Sequence, residues 1–86
     1  MTSYVRKQQF DAVQFEKEWI ILNSEAYTVT KLNEIGGLYW LLLSEAQSAA
    51  SLAHLMQNEY GYEQDEQDIK LFLDDLMKYG LVQYAG

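Results

Sequence analysis

The sequence holds no cysteine, no proline and a single histidine. Without cysteine there can be no disulfide, no thiolate metal ligand and no cysteine nucleophile. A structural zinc site wants four nitrogen or sulfur ligands, and His54 alone cannot supply them. Positive charge is also scarce: six Lys and Arg stand against thirteen Asp and Glu, for a net charge of -7. Such a body repels the phosphate backbone unless a local basic patch intervenes. Only Arg6 and Lys7 are adjacent, while Lys17, Lys31, Lys70 and Lys78 are scattered. No nucleic-acid partner is therefore expected. Long apolar runs are missing too. The longest, Leu38 to Leu43, falls far short of the ~18 residues that cross a bilayer, so no membrane partner is expected. The start, Met1 to Lys7, lacks the basic-then-apolar layout of a signal peptide, and the expected location is the cytoplasm.

Catalytic and cofactor motifs are missing as well. None of Ser3, Ser24, Ser44, Ser48 and Ser51 sits in a Gly-x-Ser-x-Gly elbow, and no Gly-x-Gly-x-x-Gly or P-loop pattern occurs. No cofactor is expected. The acidic run Glu63-Gln64-Asp65-Glu66-Gln67-Asp68 lacks the central glycine of a calcium loop, and it reads as a solvated face at a helix start. His54 falls off the apolar stripe of its helix and reads as a surface residue.

What is present is core-forming material. Hydrophobic residues make up 49% of 86 residues, which suits one domain spanning 1–86 and rules out a disordered chain. Residues 4 to 10 are a weak strand candidate. Glu18-Trp19-Ile20-Ile21-Leu22 is rich in β-branched and aromatic residues and reads as a strand. Asn23-Ser24-Glu25 supplies turn chemistry, and Tyr27 to Leu32 reads as the partnered strand of a hairpin. Asn33, Ser48 and Asp65 are helix N-caps. Ile35, Leu38, Tyr39 and Leu42 give the first helix its stripe, and Leu52, Leu55 and Met56 the second. Ile69, Phe72, Leu73, Leu76 and Met77 give the third. Gly61 and Gly80 end helices, and Leu81 to Tyr84 can add a tail strand. Trp19 or Ile21, Ile35, Leu52, Leu55, Phe72, Leu73 and Leu76 are expected to share one core. Gly36-Gly37 lies inside a helix, where each glycine costs about 1 kcal/mol against alanine. A closely packed neighbour or a hinge would account for the pair. Strands followed by helices imply an α+β fold: three N-terminal antiparallel strands, then three helices, in a winged-helix-like body.

One detail of the third helix departs from a plain core stripe. With Ile69 facing the core and about 100° per residue, Asp68, Leu71, Asp75 and Tyr79 fall along one flank. Leu71 is either an ordinary exposed leucine or the floor of a groove flanked by carboxylates. The opposite wall of such a groove would be the Tyr27–Leu32 strand, if that strand lies at a sheet edge.

Leu32-Asn33-Glu34, then Gly36, Trp40, the Ser48-capped helix with Leu52 and Leu55, and Phe72-Leu73-x-x-Leu76-x-x-x-Gly80-Leu81 together resemble the pyrroloquinoline-quinone synthesis protein D (PqqD-like) family. The resemblance runs from about Trp19 to Val82. It implies a non-enzymatic recognition element for ribosomally made, modified peptides. In that reading the leader of a precursor peptide adds as an antiparallel strand between the third strand and third helix. Carried over by position, the binding residues are Tyr27, Thr28, Val29, Thr30 and Lys31 with Asp68, Leu71 and Asp75. The implied partners are the leader peptide and a separate maturation enzyme, either a leader protease or a radical-SAM enzyme. The chain looks most like the leader-binding proteins of lasso-peptide pathways, as a monomer or dimer. A winged-helix transcription regulator is the alternative; its recognition helix should be basic.

Overall fold

The computed structural model describes residues 2–85; Met1 and Gly86, the ends of the expected 1–86 domain, lie outside the described residues. The element order is β1 (Tyr4–Arg6), β2 (Asp11–Phe15), β3 (Glu18–Asn23), β4 (Thr28–Leu32), α1 (Glu34–Leu42), α2 (Ala49–Tyr60), α3 (Glu66–Lys78) and β5 (Val82–Tyr84). The α+β class, the three-stranded antiparallel sheet and the three helices are as the sequence implies. The identity of the strands differs in part. The sheet is the meander β2-β3-β4, and its first strand, β2, is one the sequence did not reveal. Only Ala12 of β2 is half-buried, so the strand shows no alternation to read. The expected strand over 4–10 shortens to β1 and leaves the meander for β5, with Tyr4 opposite Tyr84 and Arg6 opposite Val82.

Local chemistry accounts for most boundaries. Asn23 Oδ1 accepts from the amides of Glu25 and Ala26 at 3.2 and 3.1 Å, which folds the β3–β4 turn. Asn33 Oδ1 accepts from the Gly36 amide at 2.8 Å and starts α1. Ser48 and Ser51 exchange side chain-to-amide bonds at 2.9 and 3.1 Å across the first turn of α2, a capping box built from two serines. Asp65 Oδ1 accepts from the Gln67 amide at 2.7 Å at the start of α3. Beyond α3, Gly80 takes φ +74. Its amide donates to Met77 and that of Leu81 to Leu76, the paired bonds that close a helix C-terminus through a left-handed glycine.

The core lies between the inner face of the sheet and the helices. Ile21 of β3, Trp40 of α1, Leu52 of α2 and Leu73 and Leu76 of α3 are at most 2% exposed. Of the alternatives Trp19 and Ile21, Ile21 is the one in the core; Ile35, Leu55 and Phe72 are only half-buried, so three of the expected core residues sit at its margin. For Phe72 the reason is positional: it faces the gap between α3 and β4, described below. Residues 3–7 fasten the two ends of the chain together. Tyr4 exchanges backbone bonds with Gln47, Lys7 donates to Leu81, and Ala85 donates to Ser3.

The glycine pair is explained by close packing at one position. A Cβ at Gly37 would fall inside the indole of Trp19, whereas one at Gly36 would meet Asn33 Oδ1 and the Leu32 Cβ at 3.3 Å. Gly37→Ala gains about 1 kcal/mol of helix propensity but forces a half-buried tryptophan out of its seat, at about 1–3 kcal/mol or more. Gly37→Ala should therefore lower the melting temperature, while Gly36→Ala should leave it within a few degrees. Thermal melts of the two variants side by side check this; equal melting temperatures would show that the Trp19 contact is not rigid.

Candidate functional site

β4 pairs with β3 from Asn23↔Thr28 to Trp19↔Leu32, and among the described residues no strand pairs with its other edge. In an antiparallel ladder alternate residues bond the partner strand. Two or three of the five β4 residues therefore present free N–H and C=O groups to the open side. Across that opening runs α3, antiparallel to β4: the C-terminal end of β4 lies near Asp68 and Phe72, and its N-terminal end near Lys78 and Tyr79. A cavity occupies each end of the gap.

The first cavity, about 320 Å³, lies between the end of β4, the start of α1 and the first half of α3. Ile35, Tyr39 and Phe72 give it apolar and aromatic walls, and Lys31, Gln64 and Asp68 a polar rim. The Tyr39 and Phe72 rings are tilted against each other with centroids 5.3 Å apart. The Tyr39 hydroxyl donates to Gln64 Oε1 at 3.2 Å. Burial, and then the negative charge of Asp68, raise the Tyr39 pKa, so the phenol stays neutral and keeps its proton in the physiological range. The second cavity, about 640 Å³, is walled by Thr28 to Lys31 on β4 and by Lys78 and Tyr79 at the end of α3. Both volumes match ligand sites, roughly 300–1,000 Å³.

The structure brings most of the residues expected from sequence to this gap. Thr28, Val29, Thr30 and Lys31 are in β4 and all line the second cavity; Asp68 and Lys31 line the first together. Tyr27 does not belong to the strand. It sits in the β3–β4 turn with φ +54 and is 93% exposed, because the turn needs a left-handed residue there. Leu71 is 56% exposed and Asp75 is exposed; in sequence both fall on α3 between the residues that line the two cavities, and neither lines either of these two. Sequence reasoning passed over Tyr39, Gln64, Phe72 and Lys78. Tyr39 and Phe72 read as plain core stripe. The available signal was a tyrosine hydroxyl on a core stripe, which must find a polar partner, and Phe72 standing one turn beyond Asp68 on the same face.

His54 is on the surface of α2, with Nε2 2.8 Å from the side-chain nitrogen of Asn58, away from this gap. No helix is long and apolar enough to cross a membrane among the described residues.

Comparison with the curated proteins finds no match. Two solved structures share the fold. One is TbiB1 in complex with the TbiA(beta) leader peptide, 23% identical, with a TM-score of 0.77 over 95% of this chain and 99% of that one. The other is lasso peptide synthetase B1 complexed with the leader peptide, 20% identical, with a TM-score of 0.74 over 93% of this chain and 96% of that one. Residues 18–82 match the family described as Coenzyme PQQ synthesis protein D (PqqD). That span takes in β3, β4, all three helices and both walls of the gap, and the protein belongs to the PqqD family.

Proposed function

We propose that this protein binds the leader segment of a ribosomally made precursor peptide and presents it to a separate maturation enzyme. It performs no chemistry on the peptide itself. The leader adds to β4 as an antiparallel strand, so that its backbone completes the free N–H and C=O groups and alternate side chains enter the gap. The observation that carries this reading is the open edge of β4 facing a helix across two cavities. Family membership supports it, as do two structures of the same fold determined with leader peptides. A lasso-type pathway with a leader protease is favoured over a radical-SAM partner, because one of those two proteins is a lasso peptide synthetase component. The place of action is the cytoplasm, where ribosomal precursors are made. A DNA-reading role has no support in α3, whose exposed face carries Asp65, Glu66, Asp68, Asp74 and Asp75 against Lys70 and Lys78.

Leu71 tests the reading. On an exposed helix face it adds little to the core, but it lies where a bound strand would pass. Leu71→Asp should weaken leader binding at least about tenfold, ~1.4 kcal/mol. Asp68, Asp74 and Asp75 lie within one turn of Leu71, so the added charge also strains the helix. Leu71→Gln is the cleaner companion variant. Asp75→Lys should weaken a leader with a basic residue at that point, by an amount that shrinks at high salt. Titration calorimetry with a precursor leader peptide that the wild-type protein binds, and circular dichroism of each variant, give the readout. Unchanged affinity in all three folded variants would move the peptide off α3.

A further inference from the structure

The two ends of the gap differ in charge, and this difference bears on what the groove selects. The first cavity has Asp68 on its rim to offset Lys31, which lines both cavities. No acidic side chain lines the second, while Lys31 and Lys78 both do. These are two of only six basic residues in a chain of net charge -7. They reach the cavity from opposite walls, one from β4 and one from the last turn of α3. Thr28, Thr30 and Tyr79, which carry hydroxyl groups, belong to the same lining. A cationic pocket with hydroxyl donors, set in a negatively charged surface, is suited to a carboxylate.

We infer that the Lys31–Lys78 end of the groove selects an acidic side chain of the bound peptide. The inference rests on strand addition to β4, as proposed above, and adds a specificity to it. β4 runs from the Lys78 end at Thr28 to the Phe72 end at Leu32. An antiparallel peptide therefore runs from the Phe72 cavity toward Lys78. Side chains on one face of a strand recur every second residue at about 3.3 Å per residue. The acidic residue then stands about four positions after the residue seated in the Phe72 cavity. A peptide with a lysine at that position meets two like charges and is rejected.

The experiment uses the whole protein and a displayed library of random peptides of roughly 16 residues, ~50 Å when extended. Selected peptides are synthesised and their affinities measured by fluorescence anisotropy. Enrichment of Asp or Glu about four positions after an apolar residue is expected. Lys78→Glu should weaken an acidic binder about fivefold at low salt, the scale of reversing an exposed pair. Exchanging that peptide residue for lysine should restore most of the loss, and the effect should shrink near 0.3 M salt. Lys78→Gln, which adds no repulsion from Asp74 and Asp75, should give about twofold. Binders that depend on Leu71 but carry no acidic preference and ignore both Lys78 variants would overturn this inference while leaving strand addition standing. Binders indifferent to Leu71 and Phe72 substitutions would sink the groove itself.

Discussion

Truncating Trp40 to alanine should destabilise the protein by about 3–5 kcal/mol, the range for a large aromatic lost from a core. Trp40 is 2% exposed and faces the side of α1 that meets the N-terminal segment. The Arg6 guanidinium lies 5.5 Å from its ring centroid, and Arg6 Nη1 donates to the Trp40 carbonyl at 3.1 Å. Removing the indole thus opens a cavity and also takes away the face on which Arg6 rests. A domain of this length holds roughly 4–13 kcal/mol in total, so the loss is a large share of it. With about 4–8 °C per kcal/mol, the melting temperature should drop by roughly 12–40 °C. Thermal unfolding followed by circular dichroism measures it, and a drop of only a few degrees would mean that Trp40 is not packed as described.

Phe72→Ala should act in the opposite proportion, with a small effect on folding and a large one on binding. Read from sequence, Phe72 belongs to the core stripe, and its loss would match that of Trp40. In the structure it is half-buried, and its ring forms a wall of the first cavity with Tyr39. Half of the ~1.5–3 kcal/mol for burying a phenylalanine leaves about 0.8–1.5 kcal/mol of stability. For binding, an aromatic wall of a pocket that a peptide side chain fills is the kind of residue whose truncation costs about 2 kcal/mol or more, ~30-fold in affinity. Calorimetry with the leader peptide, at a temperature where the variant is folded, separates the two effects. Wild-type affinity in folded Phe72→Ala would show that no peptide side chain enters that cavity.

The contrast between these two aromatics shows what kind of information the sequence carried. The helix starts at Asn33, Ser48 and Asp65 were legible because a cap is a contract between a side chain and an amide two or three residues away. The left-handed glycines Gly61 and Gly80 were legible for the same reason: the geometry is local, and glycine takes it at no steric cost. The Leu71 flank of α3 was legible because helical periodicity is a property of one segment. Tyr27 was misplaced because its strand-forming character outweighed the one-residue requirement of the turn.

The sequence by itself determined the helices with their caps, the hairpin at Asn23 and the acidic surface, since each depends on residues close in the chain or on composition. Only the tertiary structure decided that β1 pairs with β5 across nearly the whole chain and that β2 exists as a strand at all. It alone decided that Phe72 opens onto a cavity at the margin of the core, and that Lys31 and Lys78 line one end of a groove together. The physical reason is the same in each case. A strand's partner, and the exposure of a side chain at the margin of a helix stripe, are set by whatever packs across from it. No residue pattern within the segment records that neighbour.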